Sequence, residues 1–157
     1  MSGDTGAGTL DRVVSGGQTG VDRAALDAAR EMGIPFGGWC PRGRRAEDGP
    51  IPATYPLRET PSGGYPERTA WNVRDSDGTL VITRGKPRGG TGLTVSLARR
   101  AGRPVLVVDL EAGYRVSDAR AFLAENDIRV LNVAGPRESE TPGIHDEAVG
   151  FLRELLS

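Results

Sequence analysis

Two stretches of this sequence share one order of elements, in which a short apolar run leads into a glycine turn and then into helical spacing. In the first stretch, Val13 and Val14 precede the turn "SGGQTG", and the helix that follows ends at Gly33. The apolar face of that helix consists of Val21, Ala25, Ala28, Ala29 and Met32. In the second stretch, "GTLVITRG" precedes "KPRGGTG" and a helix whose apolar face is Leu93, Leu97 and Ala101. Each stretch therefore predicts a strand, a turn and a helix.

The rest of the chain continues this alternation. We expect a helix at "PERTAWNVRDS", with Pro66 at its first position, and a strand at "RPVLVVDL". A helix from Val116 to Asn126, a strand at "IRVLNVAG" and a last helix from His145 to Leu156 follow. Strands separated by helices are typical of a mainly parallel sheet that is covered on both faces. The predicted fold class is therefore α/β, a Rossmann-like three-layer sandwich.

The domain organisation is simple. A chain of 157 residues fits one domain, which we place at residues 11–157 after a flexible leader of residues 1–10. From Ile34 onward the sequence is dense in proline and glycine, up to the helix that contains Pro66. This composition predicts a long loop with one short strand near Phe36. Loops of such length inside a domain are usually either functional or disordered.

Charge and cysteine content exclude several classes of protein. The 20 basic and 21 acidic residues leave a net charge of -1, which does not indicate a nucleic-acid partner. The single cysteine, Cys40, excludes an internal disulfide, and no cysteine and histidine cluster predicts a metal site. No segment has the pattern of a signal peptide or a membrane span, so we expect a cytoplasmic protein. We interpret Cys40 as a core residue and assign no catalytic role to His145.

The two glycine turns allow two interpretations. Neither contains the complete G-x-G-x-x-G motif or a Gly-Lys-Ser/Thr ending, which argues against an ordinary dehydrogenase or ATPase. In the structural interpretation, Thr19 caps the first helix with Asp22 closing a capping box, and Thr91 or Gly92 caps the second. In the functional interpretation, the N–H groups at each helix start bind an anion. Both turns follow strands and are expected at the carboxyl end of the sheet, which favours the anion sites.

Basic side chains lie near both turns in the sequence. They are Arg23 in the first helix, Lys86 and Arg88 before the second, and Arg42, Arg44 and Arg45 in the long loop. Arg68 and Asn72, four residues apart, share one face of their helix. Guanidinium groups suit phosphate, but charged loop residues are also common as solvated surface. The sequence leaves both interpretations open.

Four separated motifs carry a family resemblance: "SGGQTGVDRAALDAA", "WCPRGRRAEDGPIP", "PRGGTGLTVSLA" and "NVAGPRESETPGI". Together they resemble the putative molybdenum carrier family, the molybdenum cofactor carrier proteins, within the Rossmann-like SLOG superfamily. The resemblance implies a homo-oligomer, a dimer or tetramer, that binds molybdenum cofactor or a related oxyanion such as molybdate. A recipient molybdoenzyme is a possible partner, whereas nucleic acid and membrane are not implied.

By the same resemblance, residues 16–19 form one wall of the site and residues 89–92 hold a phosphate or molybdate. With the nearby polar residues added, the predicted ligand-binding set is Gly16, Gly17, Gln18, Thr19, Gly20, Arg23, Arg42, Arg44, Arg68, Asn72, Arg88, Gly89, Gly90, Thr91 and Gly92. We predict no metal-ligating side chain and no catalytic residue.

A related group, the lysine-decarboxylase-like phosphoribohydrolases, provides a competing enzymatic hypothesis. Their second turn reads P-G-G-x-G-T-x-x-E, and its glutamate is catalytic. Here Arg88, Leu93 and Ser96 stand at the proline, threonine and glutamate positions. Because cleavage of an N-glycosidic bond needs a carboxylate, we do not expect this activity unless Asp22, Glu47 or Asp48 supplies one. A nucleotide-sensing module is a third hypothesis.

Overall fold

The computed structural model describes residues 10–157, so residues 1–9 of the predicted leader lie outside the described part. These residues form nine strands and five helices. The strands are β1 Arg12–Val14, β2 Phe36–Gly37, β3 Trp39–Cys40, β4 Arg45–Ala46, β5 Gly49–Pro50, β6 Arg58–Glu59, β7 Gly78–Thr83, β8 Val105–Asp109 and β9 Val130–Ala134. The helices are α1 Val21–Glu31, α2 Tyr65–Arg74, α3 Gly89–Arg100, α4 Val116–Glu125 and α5 Ile144–Leu156. None of these helices is long and apolar enough to cross a membrane.

The central sheet has five strands in the order β2-β1-β9-β7-β8, and every neighbouring pair is parallel. This confirms the predicted Rossmann-like α/β class. The last strand of the chain, β9, lies in the middle of the sheet between β1 and β7. If β9 is counted as the first strand, the order becomes the 3-2-1-4-5 arrangement of a doubly wound fold. The point at which strand order reverses therefore lies between β9 and β7.

The core forms because the sheet is covered on both faces. All six residues of β7 are buried, as expected for a central parallel strand. Helices α1, α4 and α5 pack together, and α2 packs against α3. The largest wholly buried side chains of the main core include Leu80, Ile82, Leu131, Ile144 and Leu152.

Two local predictions about the helices are wrong. The buried face of α3 consists of Thr91, Thr94, Val95 and Ala98, whereas Leu93 and Leu97 are half-buried and Ala101 is exposed. Small residues face inward here because α3 packs closely on α2 and β7. The Thr94 hydroxyl donates a hydrogen bond to the carbonyl of Gly90, so this polar group can be buried. The predicted caps are also absent: Gly20 and Arg88 occupy the N-cap positions, and neither helix has a side-chain cap hydrogen bond.

The proline- and glycine-rich segment, residues 34–64, is packed rather than open. The predicted strand near Phe36 is confirmed as β2, and four more two-residue strands were not predicted. Cys40, Ile51 and Leu57 form a small second core with Leu26 of α1. The Arg44 guanidinium donates hydrogen bonds to four backbone carbonyls of the same segment, at residues 51, 52, 55 and 57. Residues 34–64 therefore form a compact unit that packs against α1.

Candidate functional site

A cavity of about 340 Å³ lies at the carboxyl end of the sheet, beside the strand-order reversal. Its walls come from four places: the turn between β1 and α1, one face of α2, the first turns of α3, and the end of β9. Its lining includes Gly16, Gln18, Asp22, Tyr65, Arg68, Thr69, Asn72, Gly89, Gly90, Thr91, Thr94, Asn132, Gly135, Arg137 and Glu140. In open α/β sheets this is where ligands bind, which makes the cavity the candidate site.

The start of α3 opens directly into this cavity. The N–H groups of Thr91 and Gly92 donate to the Arg88 carbonyl, at 3.0 and 3.1 Å. Within residues 10–157, the N–H groups of Gly89 and Gly90 have no acceptor, and no acidic residue stands in this first turn. A Cβ added at Gly89 or Gly90 would meet nothing within 4 Å. The positive end of the helix dipole and two unpaired donors therefore face open space.

The start of α1 differs because other parts of the protein contact it and accept hydrogen bonds from some of its N–H groups. The Val21 N–H donates to the carbonyl of Pro136 at 3.2 Å, and the Arg23 N–H donates to the carbonyl of Gln18 at 3.1 Å. The Gln18 N–H in turn donates to the Asp22 carboxylate at 3.3 Å. The backbone at Pro136 also passes so close to Gly20 that a Cβ there would overlap the Pro136 carbonyl. The two glycine turns are therefore not equivalent, because other parts of the protein pack against the first turn, whereas the space beside Gly89 and Gly90 is open.

A buried ion pair forms one wall of the cavity. The Arg68 guanidinium contacts the Asp22 carboxylate at 3.1 Å, and both side chains are about nine-tenths buried. A Cβ at Gly16 would overlap the Arg68 side chain, so this glycine leaves the space in which the guanidinium lies. The Tyr65 ring lies 5.2 Å from that guanidinium on the other side. Burial outweighs the attraction of Arg68 and raises the pKa of Asp22 to about 6.

Three buried side chains of the lining have polar atoms with no partner among residues 10–157. They are Nη2 of Arg68, Oγ1 of Thr91 and Oδ1 of Asn132, whose amide nitrogen donates to Thr79. Such atoms are costly to bury unless something completes their hydrogen bonds. Together with the N–H groups of α3, they give the candidate site a polar lining.

Seven of the predicted ligand-binding residues meet at the cavity: Gly16, Gln18, Arg68, Asn72, Gly89, Gly90 and Thr91. Two of them also hold the packed segment in place. The Gln18 side-chain oxygen accepts from the N–H groups of Thr19 and Glu47, at 3.0 and 2.9 Å. The Asn72 amide pairs with both the N–H and the carbonyl of Trp39, at 2.8 and 2.9 Å. These two side chains therefore connect the cavity wall to residues 34–64.

The other eight predicted residues do not line the cavity: Gly17, Thr19, Gly20, Arg23, Arg42, Arg44, Arg88 and Gly92. Arg23 pairs with Asp48 at 2.6 Å, and the Thr19 hydroxyl contacts Glu47. Arg44 is occupied by carbonyls of its own segment. The guanidinium groups of Arg23 and Arg44 therefore hold residues 34–64 together and against α1, and do not line the cavity.

The sequence analysis missed the part of the site that comes from the end of the chain. Asn132 and Gly135, on and after β9, line the cavity, and Arg137 and Glu140 form a pair of 3.4 Å at its rim. The signal that could have found them is the glycine of "NVAG", which follows a strand as the other two turns do. A Cβ at Gly135 would overlap the carbonyl of Ile82 on β7.

Cys40 and His145 both lie outside the cavity lining. The Cys40 side chain is wholly buried in the second core, and burial raises the pKa of its thiol. His145 lies between two carboxylates, Asp27 at 2.8 Å and Asp146 at 3.0 Å, so both of its ring nitrogens are engaged. Within the described part of the chain, no group of three or more acidic, histidine or cysteine side chains could hold a metal ion.

Comparisons with known proteins agree with this fold. The model of the circularly permutated YpsA SLOG family matches residues 13–156. The chain is also similar to the crystal structure of a putative molybdenum carrier protein from Syntrophus aciditrophicus SB, with 43% sequence identity and a TM-score of 0.89. That match covers 94% of this chain and 95% of the other. No curated protein matches the sequence. A circular permutation accounts for the last strand, β9, occupying the position of the first strand in the sheet.

Proposed function

We propose that this chain, which belongs to the circularly permutated YpsA SLOG family, is a binding and carrier protein for a small ligand that bears a phosphate or another tetrahedral oxyanion. The observation that carries this proposal is the open start of α3. The unpaired N–H groups of Gly89 and Gly90 face a cavity of about 340 Å³, a size typical of small-molecule sites. The Arg68 guanidinium and the Thr91 hydroxyl provide further hydrogen-bond donors in the wall of the same cavity.

Molybdenum cofactor or molybdate is the ligand that we propose. The putative molybdenum carrier protein is 43% identical to this chain over 94% of its length. Molybdate is a tetrahedral dianion and the pterin of the cofactor carries a phosphate, so either can accept hydrogen bonds at the start of α3. As the family resemblance implies, we propose a homo-oligomer that delivers this ligand to a recipient molybdoenzyme.

The charges of the lining support a ligand with one anionic group. Arg68 is compensated by Asp22, and Arg137 is compensated by Glu140. The described lining therefore has no excess of cationic side chains, and attraction comes mainly from the N–H groups and dipole of α3. One oxyanion matches this arrangement, whereas a di- or triphosphate would need further cations.

A Gly90→Leu variant tests the site. Leucine is a good helix former, and a Cβ at Gly90 meets nothing within 4 Å, so the fold is expected to persist while the side chain fills the anion position. Gly150→Leu is the matched control, because Gly150 is exposed in α5 and also has nothing within 4 Å. We expect calorimetry with molybdate to show binding that is lost in Gly90→Leu and kept in Gly150→Leu. Unchanged binding in Gly90→Leu would refute the site.

The ligand can be identified from the metal and the small molecules that copurify with the protein. The untreated protein is purified and measured by metal analysis, together with mass spectrometry of the released small molecules. Molybdenum with a pterin supports the cofactor, and molybdenum alone supports molybdate. A nucleotide without metal would overturn both identities and support the nucleotide hypotheses.

One observation favours a second candidate function, a nucleotide-processing enzyme. Ser96 stands at the glutamate position of the phosphoribohydrolase motif and does not line the cavity, but Asp22 places a carboxylate there beside Arg68. A carboxyl group whose pKa is about 6 suits general acid–base catalysis near neutral pH. In this hydrolysis the N-glycosidic bond breaks, water adds to the sugar carbon, and the nucleobase leaves with a proton. The test is to incubate the protein with nucleoside 5′-monophosphates and to measure the free nucleobase. Release that is lost in Asp22→Asn supports the enzymatic function, and the absence of release from every nucleotide excludes it.

A further inference from the structure

A second cleft, of about 220 Å³, lies beside β1 and the start of β9 and shares the side chain of Asn72 with the first cavity. Its lining includes Arg12, Gly38, Trp39, Arg58, Asn72 and Asp75. Asn72 lines both spaces, and because its amide is fully paired with the backbone of Trp39, it forms a fixed wall between them. The cleft is therefore a separate space with different chemistry.

The indole of Trp39 is held in one orientation inside this cleft. Its ring N–H donates to the carboxylate of Asp75 at 2.8 Å. The ring of Trp71 packs against it edge-on, with centroids 4.7 Å apart and an interplanar angle of 88°. Because both the backbone and the ring of Trp39 are fixed, the cleft presents a preorganised aromatic surface that remains half-exposed.

Two guanidinium groups line the same cleft. The Arg58 guanidinium lies 5.7 Å from the centre of the Trp39 ring, and its backbone N–H is fixed to the carbonyl of Gly38. The Arg12 guanidinium packs onto the backbone of Gly37, where a Cβ would overlap it. Within residues 10–157, neither group has a carboxylate within 4.0 Å.

The one acidic side chain of the cleft is already neutralised. Both oxygens of Asp75 accept hydrogen bonds from the guanidinium of Arg74, at 2.7 and 2.9 Å. These hydrogen bonds hold the pKa of Asp75 below its usual range, with a further contribution from the Trp39 ring N–H. Two uncompensated positive charges, at Arg12 and Arg58, therefore remain beside a fixed indole.

From this juxtaposition we infer a second ligand site, which binds a small planar compound bearing a carboxylate or a phosphate. Guanidinium groups form paired hydrogen bonds with either anion, and the Trp39 indole provides a surface for the planar part. A carboxylate and a phosphate share this recognition chemistry, so the experiment distinguishes them. The site does not depend on the ligand proposed for the first cavity.

Tryptophan fluorescence reports on this cleft selectively. The chain contains two tryptophans; Trp39 lines the cleft, Trp71 packs against Trp39, and neither lines the first cavity. The protein is titrated at constant ionic strength with benzoate, phenyl phosphate and inorganic phosphate, and calorimetry provides a second readout. We expect a saturable response to benzoate or phenyl phosphate that is stronger than the response to inorganic phosphate.

Variants decide whether the response comes from the cleft. Arg12→Gln and Arg58→Gln are each expected to weaken binding about tenfold or more, because each removes a charge-assisted contact. The exposed Arg100→Gln is the charge-matched control, and Gly90→Leu is the control for the first cavity; both should bind as the unaltered protein does. A response that does not saturate, or that is as strong in Arg12→Gln and Arg58→Gln as in the unaltered protein, would overturn the inference. Loss in Gly90→Leu alone would assign the response to the first cavity and also overturn it.

Discussion

The burial of Asp22 makes the stability of this protein depend on pH in a defined window. The pKa of this carboxyl rises from 3.8 to about 6 on folding, because burial disfavours its charged form more than Arg68 favours it. An acid with a raised pKa in the folded state binds protons more tightly there than in the unfolded chain. The free energy of unfolding therefore increases as the pH falls from about 6 to about 4, and decreases as the pH rises through that range.

The size of the effect follows from the same two values. The difference between 3.8 and about 6, at about 1.36 kcal/mol per pH unit, corresponds to about 3 kcal/mol. Native domains have total stabilities of about 5–15 kcal/mol, so this change is large enough to measure. Because the carboxylate is also paired with Arg68, we treat 3 kcal/mol as the order of magnitude of the change.

The other groups with shifted pKa values titrate at the edges of this window or beyond it. Arg23 lowers the pKa of Asp48 and Arg74 lowers that of Asp75, so their contributions are lost only at lower pH. The pKa of His145 is raised above 6.5, so its contribution is lost at higher pH. Burial alone would raise the pKa of Glu47, but hydrogen bonds from Ser139 and Thr19 outweigh burial and lower this pKa from 4.5, so this group also titrates at the lower end of the window. The comparison with Asp22→Asn isolates Asp22, because Glu47 and His145 are the same in both proteins.

Urea unfolding at several pH values, for the unaltered protein and Asp22→Asn, measures the effect. Over the window, the unaltered protein should lose up to about 3 kcal/mol more stability than the variant as the pH rises. The exposed Asp118→Asn serves as the control and should follow the unaltered protein. Parallel pH curves for the unaltered protein and Asp22→Asn would refute the reasoning, whatever the absolute stability of the variant.

Three further predictions concern residues outside the cavity. Burial alone would lower the pKa of His145, but hydrogen bonds to Asp146 and Asp27 raise it. His145→Gln should therefore reduce stability most below pH 6.5. In urea unfolding, the difference in stability between the variant and the unaltered protein should shrink as the pH rises through the raised pKa. The Cys40 thiol is wholly buried and its pKa is raised by burial, so iodoacetamide should label it far more slowly in the native protein than in urea. Gly150→Ala should increase stability by up to about 1 kcal/mol, seen as a higher Tm, because alanine is the better helix former at this exposed position.

Much of the fold could be predicted because strand and helix periods are local properties of a sequence. The predicted last helix, from His145 to Leu156, differs by one residue from α5. The inward face of α3 could not be predicted in the same way. Its buried residues include Thr91 and Thr94, whose hydroxyls make them look polar, and the tight packing of α3 on α2 is a tertiary effect.

The glycines of the first turn show a second limit of sequence analysis. Gly16 and Gly17 belong to the predicted ligand-binding set, but protein atoms occupy the space that a side chain at either position would fill. Gly16 is opposed by Arg68, and Gly17, with a φ of +82°, is opposed by Leu57 and Ile51. These partners lie dozens of residues away in the sequence, so no local pattern indicates them. Glycine-rich turns that look alike in sequence can therefore serve different purposes.

The position of β9 explains why the site as a whole was only half predicted. The carboxyl ends of parallel strands meet at one edge of the sheet whatever their order along the chain, so a circular permutation leaves the cavity intact while it disperses the contributing residues. Asn132 and Gly135 thus reach the same cavity as Gly16, from the opposite end of the chain. Within that cavity Asp22 cancels the charge of Arg68, which leaves the start of α3 as the main source of attraction for an anion. Under the proposed function, these backbone N–H groups have fixed directions and would select an anion by its shape as well as by its charge.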